Sequence, residues 1–397
     1  MTVELGDCGD VFLLKTNADG DNLWGKTYGG GLNDQANCVR QTTDRGYIMT
    51  GYADGDSVQP FAGSRLLLLK VDSLGDTMWV KKWGGFSTGN WVEQTADGGY
   101  IVTGDCDGAY LWLIKIDENG DYEWQRKIDY GGTEVGYCVR QTMDGGYIVA
   151  ANIGLYRFDE NGDSLWLNPQ YVKFVTLASD GGYFAFCGRN GDMWFLRFDD
   201  KGDTLWTKTY GGDGDEAARC AQQTTDGGFM IVGETESFGA GKTDVWLLRT
   251  DSLGDTLWTR TFGGEHHDNA SSGQQTSDGG FIIAGHLSML YPTQGVLLIK
   301  TDSTGDAGIG EPVTHPVTQP DWQVVSTVGS TVNLSYVNHP QGFHAAVFDA
   351  AGRKVDEIAS TSQSGTITWG EGQMPGVYFI REQSSGPCDT RKVILIP

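Results

Sequence analysis

Basic residues are scarce in this chain: 28 Lys and Arg face 52 Asp and Glu, a formal net charge of −24 over 397 residues. A phosphate backbone needs a basic footprint, so this balance argues against nucleic acid and for cations or basic partners. Long apolar runs are missing too, and nothing reads as a transmembrane segment. Prolines number only 10 against 59 glycines, which fits a fold with many turns and excludes collagen or disorder. No apolar stripe at helical spacing runs through the short apolar-polar runs of residues 244–285, and none of them is long enough for a helix. Six histidines are present, and no CxxC or Cys/His spacing marks a metal centre. The opening MTVELGDCGD has neither a basic nor an apolar leader region, and no signal peptide is visible.

What the chain does contain is a repeat. Residues 244–285 hold four short runs of strand character: VWLLRTD, TLWTRTFGG, a run ending in GQQT, and GFIIAG. DSLGD and SDGG supply tight turns, because Asp bonds its own downstream backbone and Gly accepts φ > 0. The stretch is expected to form one four-stranded antiparallel meander. Its DxxGDxxW signature recurs at 72–79, 117–124, 159–166, 199–206 and 251–258, with variants at 17–24 and 302–309. Trp24, Trp79, Trp124, Trp166, Trp206 and Trp258 are spaced by 55, 45, 42, 40 and 52 residues. The DGG turn recurs in step at Asp97, Asp144, Asp180, Asp226 and Asp278, with DRG at Asp44. Four-stranded units at a period of about 40–50 residues imply a β-propeller. One such sheet has too small a core, so neighbours must stack face to face around an axis.

We name the strands by role: A is GGYIVTG, B is DVWLLKTD, C is TLWTKTYGG, and D is the run ending in QQT. A, the most glycine-rich, is expected to be innermost. Repeats fall near 10–64, 65–109, 110–153, 154–192, 193–243 and 244–294, with a half repeat at 295–306. Closure through a hybrid blade, 279–302 joined with 21–43, makes six blades the favoured count and seven the alternative. Six leaves the B strand at Asp10–Asn17 surplus and free to pair with a neighbouring molecule. Residues 1–9 enter the repeat at the loop before that strand, so a mature or truncated form of a longer precursor is expected.

Cys38, Cys138 and Cys220 share one repeat position. Equivalent positions in different blades should lie too far apart to bridge, so they are read as small hydrophobes. The seven cysteines leave at least one thiol without an intrachain partner. After Asp306 the repeat stops. Residues 307–320, with Pro312, Pro316 and Pro320, read as an extended linker. The six or seven alternating strands of 321–397 suit a small β-sandwich.

The repeat resembles secreted bacterial and archaeal propellers with DxxGxxxW and QTxDGGY units, and more loosely the pyrroloquinoline-quinone type. VFDAAGRKV (347–355), PGVYFIR (375–381) and RKVILIP (391–397) resemble the type IX secretion (Por) C-terminal sorting domain. Gly352, Arg353, Gly376, Tyr378 and Lys392 carry that likeness. The Pro-Asn-Pro usual at the start of that domain's first strand is replaced by QPDWQVV (319–325). The resemblance implies export across the outer membrane of a Gram-negative-type bacterium and an extracellular or cell-surface location.

Among candidate sites, Asp117, Asn119, Asp121 and Asp159, Asn161, Asp163 resemble the start of a calcium loop, and Ca²⁺ is the one cofactor considered. The bidentate Glu of an EF-hand is missing, and a hairpin in which the first Asp bonds backbone amides is the simpler account. Lys15, Lys70, Lys115, Arg157, Arg197, Arg249 and Lys300 stand two residues before each loop. Each is expected to pair with an acidic turn of its own or the adjacent blade. The motif tryptophans are expected to pack between blades, and Trp83, Trp91 and Trp112 are considered as sugar platforms. His266 and His267, adjacent in a loop, are a weak metal pair. No catalytic constellation departs from the repeat, and the chain is expected not to be an enzyme. The leading expectation is a secreted or surface, non-catalytic binding or structural propeller, self-associating into a fibre or array or binding surface proteins or glycans. The alternatives are an extracellular polysaccharide hydrolase or lyase, and a glycan-binding propeller without turnover.

Overall fold

In the computed structural model, all residues are described except 1, 4–8, 19, 30–32, 55–62, 190, 289–293, 308–321, 325–327, 330, 337–341, 350–352, 383–389 and 396–397. The chain divides into two compact units, residues 1–314 and 315–397.

The first unit is a β-propeller of antiparallel sheets. Its first sheet holds β1 (Thr2–Val3), β2 (Val11–Thr16) and β3 (Asn22–Tyr28). The second holds β4 (Asp34–Gln41), β5 (Tyr47–Ala53), β6 (Arg65–Val71) and β7 (Thr77–Trp83). The third holds β8 (Thr88–Gln94), β9 (Tyr100–Cys106), β10 (Tyr110–Ile116) and β11 (Tyr122–Ile128). The fourth holds β12 (Gly136–Gln141), β13 (Tyr147–Ala151), β14 (Gly154–Phe158) and β15 (Ser164–Asn168). The fifth holds β16 (Phe174–Leu177), β17 (Tyr183–Arg189), β18 (Asp192–Phe198) and β19 (Thr204–Tyr210). The sixth holds β20 (Glu216–Gln223), β21 (Phe229–Thr235), β22 (Asp244–Thr250) and β23 (Thr256–Phe262). The seventh holds β24 (Asp268–Gln275), β25 (Phe281–Ser288) and β26 (Gln294–Thr301).

Each complete sheet runs D-A-B-C, which corrects four expectations. The four strands of 244–285 do not share a sheet: β22 and β23 end the sixth, and β24 and β25 open the seventh. The GGEHHD link between them crosses from one sheet to the next. The D strands, not the A strands, are innermost, because β4, β8, β12, β16, β20 and β24 pack one on the next at the inner edge of their sheets. Small residues allow this crowding, among them Ala36, Gly89, Gly136 and Ala270. The hybrid six-blade closure does not form. β3 is bonded to β2, β4 opens the second sheet, and the described residues of this unit form seven sheets. The B strand at Asp10–Asn17 is not surplus either, since β2 is bonded on both sides, by β1 and β3.

Burial follows the roles. In β6, β10 and β22 nearly every residue is buried, as suits a strand covered by sheets on both faces. The C strands β7, β11 and β23 alternate exposed and half-buried residues, as suits an outer edge.

The second unit has two sheets, a β-sandwich with more strands than the expected six or seven. One is β27 (Trp322–Val324), β29 (Val332–Tyr336) and β32 (Gly365–Trp369). The other, in spatial order, is β28 (Val328–Gly329), β34 (Thr390–Leu395), β33 (Gly376–Glu382), β30 (Phe343–Asp349) and β31 (Lys354–Ser360). Leu334, Phe343, Val347, Ile380 and Val393 form its core. The expected linker lies outside the described residues except for Ala307, which bridges Thr301.

Candidate functional site: sheet junctions and the incomplete sheets

The B-strand cations turn onto their own sheet. Lys70 reaches Asp44 at 2.8 Å, Lys115 reaches Asp97 at 2.9 Å, and Lys300 reaches Asp278 at 2.8 Å. Arg157, Arg197 and Arg249 hold Asp144, Asp180 and Asp226 in the same way. Each of these carboxylates is the Asp of the D–A turn, and Lys115 also reaches Glu123 on β11 at 3.3 Å. Lys15, whose sheet has no D strand, instead lies 6.0 Å from the Trp24 ring centre and 5.7 Å from that of Tyr47.

The turn carboxylates are held below the usual range. Burial opposes the charge on Asp44, but hydrogen bonds from Lys70, Thr42 and Gly46 outweigh it and bring its carboxyl to about 2. Asp97, Asp144, Asp180, Asp226 and Asp278 shift in the same direction. A carboxyl whose folded pKa is depressed stabilises the fold above its unfolded value, near 4, and loses that contribution as pH falls through the folded value. Denaturant midpoints should therefore stay level from about pH 7 to 5 and drop between about pH 4 and 2. A level acid limb would count against these pairs.

Between sheets a second motif repeats. Each C-strand tryptophan enters the following sheet beside the glycine of its DxxGD turn. A Cβ built on Gly75, Gly120, Gly162, Gly202, Gly254 or Gly305 would lie 2.5–3.1 Å from Trp24, Trp79, Trp124, Trp166, Trp206 or Trp258 respectively. Five of these rings also meet the first aromatic of the next A strand edge-on, as Trp124 meets Tyr147 at 5.6 Å between centroids. Two residues after the tryptophan a cation reaches the turn's last Asp. The pairs are Lys26–Asp76 at 2.5 Å, Lys81–Asp121 at 2.8 Å, Arg126–Asp163 at 3.0 Å, Lys208–Asp255 at 2.6 Å and Arg260–Asp306 at 3.0 Å. At the remaining junction Asn168 donates to the Gly202 carbonyl at 2.8 Å.

This junction accounts for the calcium-like loops. Asp117 Oδ1 accepts the amides of Asn119 and Asp121, and Asp159 Oδ1 accepts those of Asn161 and Asp163. Asp121 and Asp163 receive Lys81 and Arg126. Among the described residues no group of three or more His, Cys, Asp or Glu is placed to hold a metal ion. His267 Nδ1 lies 2.8 Å from the Thr243 hydroxyl.

The inner D strands bring together residues that the repeat alone did not single out. Trp91 lies between the guanidinium groups of Arg40, 4.1 Å from its ring centre, and Arg140, at 4.8 Å. Arg140 donates to Glu93 at 2.7 Å. Trp91 also meets Phe174 of the fifth sheet at 5.4 Å, so it is a packing residue and not an exposed sugar platform. Trp91 is partly buried, and Trp112 is buried, donating to Gln125 at 2.7 Å. The signal available in the sequence was the residue before each QT: Arg40, Glu93, Arg140, Gln222 and Gln274 vary while their neighbours repeat.

Cys38, Cys138 and Cys220 are free, each with its sulfur on a carbonyl of the next sheet. Burial pushes the Cys138 thiol up to about 12, and those of Cys106 and Cys187 to about 11. Thiolate is the reactive form. Iodoacetamide at pH 8 should therefore leave all three unmodified in the native protein and alkylate them in guanidinium, as read by peptide mass spectrometry. Native labelling of Cys138 would contradict the packing. Cys8 and Cys388 lie outside the described residues.

Of the sorting-like residues, Arg353 bonds Asp349 across the β30–β31 turn, with its guanidinium 2.7 Å away. Gly376 and Tyr378 lie in β33, where the Tyr378 hydroxyl donates to the Met374 carbonyl at 2.7 Å. Lys392 lies in β34, and Gly352 is outside the described residues.

The first and last sheets are incomplete in complementary ways. The first has no D strand, and the seventh has no C strand among the described residues. The last B-strand cation differs from the others in exposure. The Lys300 side chain is 36% exposed, against 3% for Lys70 and Lys115 and 5–7% for Arg157, Arg197 and Arg249.

No protein-family model matches the sequence, and no curated protein matches it. Among solved structures, the chain is similar to the extracellular domain of a putative one-component system from B. thetaiotaomicron. That likeness has 12% identity and a TM-score of 0.49, covering 99% of this chain and 55% of that one. It is also similar to PorZ, described as an essential bacterial surface component of the type-IX secretion system of Porphyromonas gingivalis. There the identity is 9% and the TM-score 0.46, with 94% and 62% covered. A third likeness is to the dihydro-heme d1 dehydrogenase NirN, at 13% identity and TM-score 0.49, over 93% of this chain and 75% of that chain. The chain thus spans little more than half the length of the first two. At identities of 9–13% and TM-scores below 0.5, these likenesses carry nothing about this chain's activity.

Proposed function

We propose that this protein is a non-catalytic β-propeller acting as a binding or structural module on the outer surface of a Gram-negative-type bacterium. In this reading the C-terminal sandwich serves as its sorting domain. One observation carries the binding role: among the described residues five complete sheets are flanked by two incomplete ones, and the outer edge of β26, paired there only through the Thr301–Ala307 bridge, is a template for pairing with another chain. The motif residues Arg353, Gly376 and Tyr378 support delivery, because they hold a turn and a central strand of the sandwich. Self-association into a fibre or array is the assembled form of the same reading, with β26 in place of the strand at Asp10–Asn17 as the pairing edge. The expected result is a surface-exposed protein by protease shaving of intact cells, and ordered oligomers in electron micrographs at high concentration. A cytoplasmic protein, or one that turns over glycans, would overturn it.

A further inference from the structure

We propose that the propeller accepts one further strand from another polypeptide, an extended segment carrying tryptophan followed two residues later by Lys or Arg. The strand lies along the outer edge of β26, with its tryptophan over Gly20 and its cation on Asp21. This deepens, and rests on, the reading of the protein as a binding module.

The six occupied junctions define what such a position takes. In each, the turn glycine meets a tryptophan of the preceding sheet, and in five the turn's last Asp meets a cation. The turn of the first sheet has the same elements. Gly20 has φ +88°, like its counterparts, yet among the described residues no heavy atom lies within 4 Å of where its Cβ would be. Asp21 is exposed; it accepts the Asn17 amide at 3.0 Å and has no Lys or Arg partner among the described residues.

The sheet that should fill this socket is the seventh, since sheets follow one another around a propeller and the last precedes the first. Its β26 is bonded to β25 on one side. On the other side, the only pairing among the described residues is the single Thr301–Ala307 bridge. Among the described residues no C strand follows β26, and one further strand at that place would account for the exposed Lys300 and the empty socket together. The chain's own continuation is a poor substitute. In the register of the repeat, Ile309 and Glu311 fall where the sixth repeat has Trp258 and Arg260. That register would set an acid against Asp21, and like charges repel. A strand of the Trp-x-Lys type offers the opposite charge to a strongly acidic protein, and its backbone satisfies the open ladder of β26.

The test uses the full chain and a fluorescein-labelled peptide of residues 203–212, DTLWTKTYGG. Saturable anisotropy is expected. Trp206→Ala in the peptide should weaken binding about tenfold, and Lys208→Glu about fivefold. The Asp21→Lys protein, altered at an exposed turn residue, should reverse the preference and favour the Lys208→Glu peptide. Absence of saturable binding, or an Asp21→Lys protein with unchanged preference, overturns the proposal. Sedimentation velocity on the same samples separates this from the broader reading: oligomers that the peptide does not compete would sink the strand site and leave the surface module standing.

Discussion

Replacing Trp124 with alanine is expected to lower the free energy of unfolding by about 3 kcal/mol, with the loss confined to one junction. The indole lies in a slot made by two residues of the next sheet. A Cβ on Gly162 would fall 2.6 Å from it, and the Tyr147 ring stands edge-on at 5.6 Å. Alanine leaves that slot without its occupant, and the neighbouring backbone cannot collapse into it because Gly162 is held at φ +80° by its turn. Truncating a buried tryptophan costs about 3–5 kcal/mol; Trp124 is only partly buried, so the lower end applies. Arg126 should also be affected, because its guanidinium lies 5.5 Å from the Trp124 ring centre while pairing with Asp163. Hydrogen exchange should therefore accelerate in the third and fourth sheets and remain slow in the sixth. Phenylalanine at the same position should recover more than half of the loss. A cost below about 1 kcal/mol, or acceleration spread evenly over the propeller, would show that these rings do not join the sheets.

Much of this junction could be read from the sequence, because its parts recur together. Trp124, Gly162 and Asp163 belong to successive copies of one motif, and a large ring repeated at fixed spacing calls for a repeated slot. The partner of each B-strand cation was narrowed to two acidic turns, and for six of the seven the structure selects the one on its own sheet, while Lys15 lies against Trp24 and Tyr47. Assignment of strands to sheets was less legible. DSLGD closes a hairpin and GGEHHD crosses between sheets, yet both are short, polar and rich in glycine and acid, so local chemistry does not separate them. The innermost strand was hidden for a related reason. D strands look like surface strands, with Asn37, Arg40, Glu93 and Arg140, but these side chains reach the next sheet: Asn37 bonds the Gly89 carbonyl at 3.1 Å, and Arg140 bonds Glu93. The incomplete edge of the seventh sheet depends on which strands pair, and pairing is what the repeat leaves open.

Asp226→Ala should cost about 2 kcal/mol and Asp278→Ala clearly less, although the two residues occupy the same place in their repeats. The difference lies in the cation. Arg249 is 6% exposed, donates to both oxygens of Asp226, and gives its other nitrogen to the carbonyls of Phe229 and Thr250. Without the carboxylate it remains a buried charge with two neutral acceptors, and water reaches it only from the turn side. Breaking a fully buried pair costs about 3–5 kcal/mol, but Asp226 is itself 65% exposed, so solvent screening reduces the figure. Lys300, with no C strand beside it among the described residues, is 36% exposed and can hydrate its ammonium when Asp278 is removed. The contrast tests whether the cost comes from the stranded cation or from the lost attraction. If the stranded cation dominates, the double variant Asp226→Asn with Arg249→Met should be more stable than Asp226→Ala alone, since it removes the charge that burial penalises. Equal costs for Asp226→Ala and Asp278→Ala in urea denaturation would mean that Lys300 is as well covered as Arg249, and the edge of β26 would then not be open.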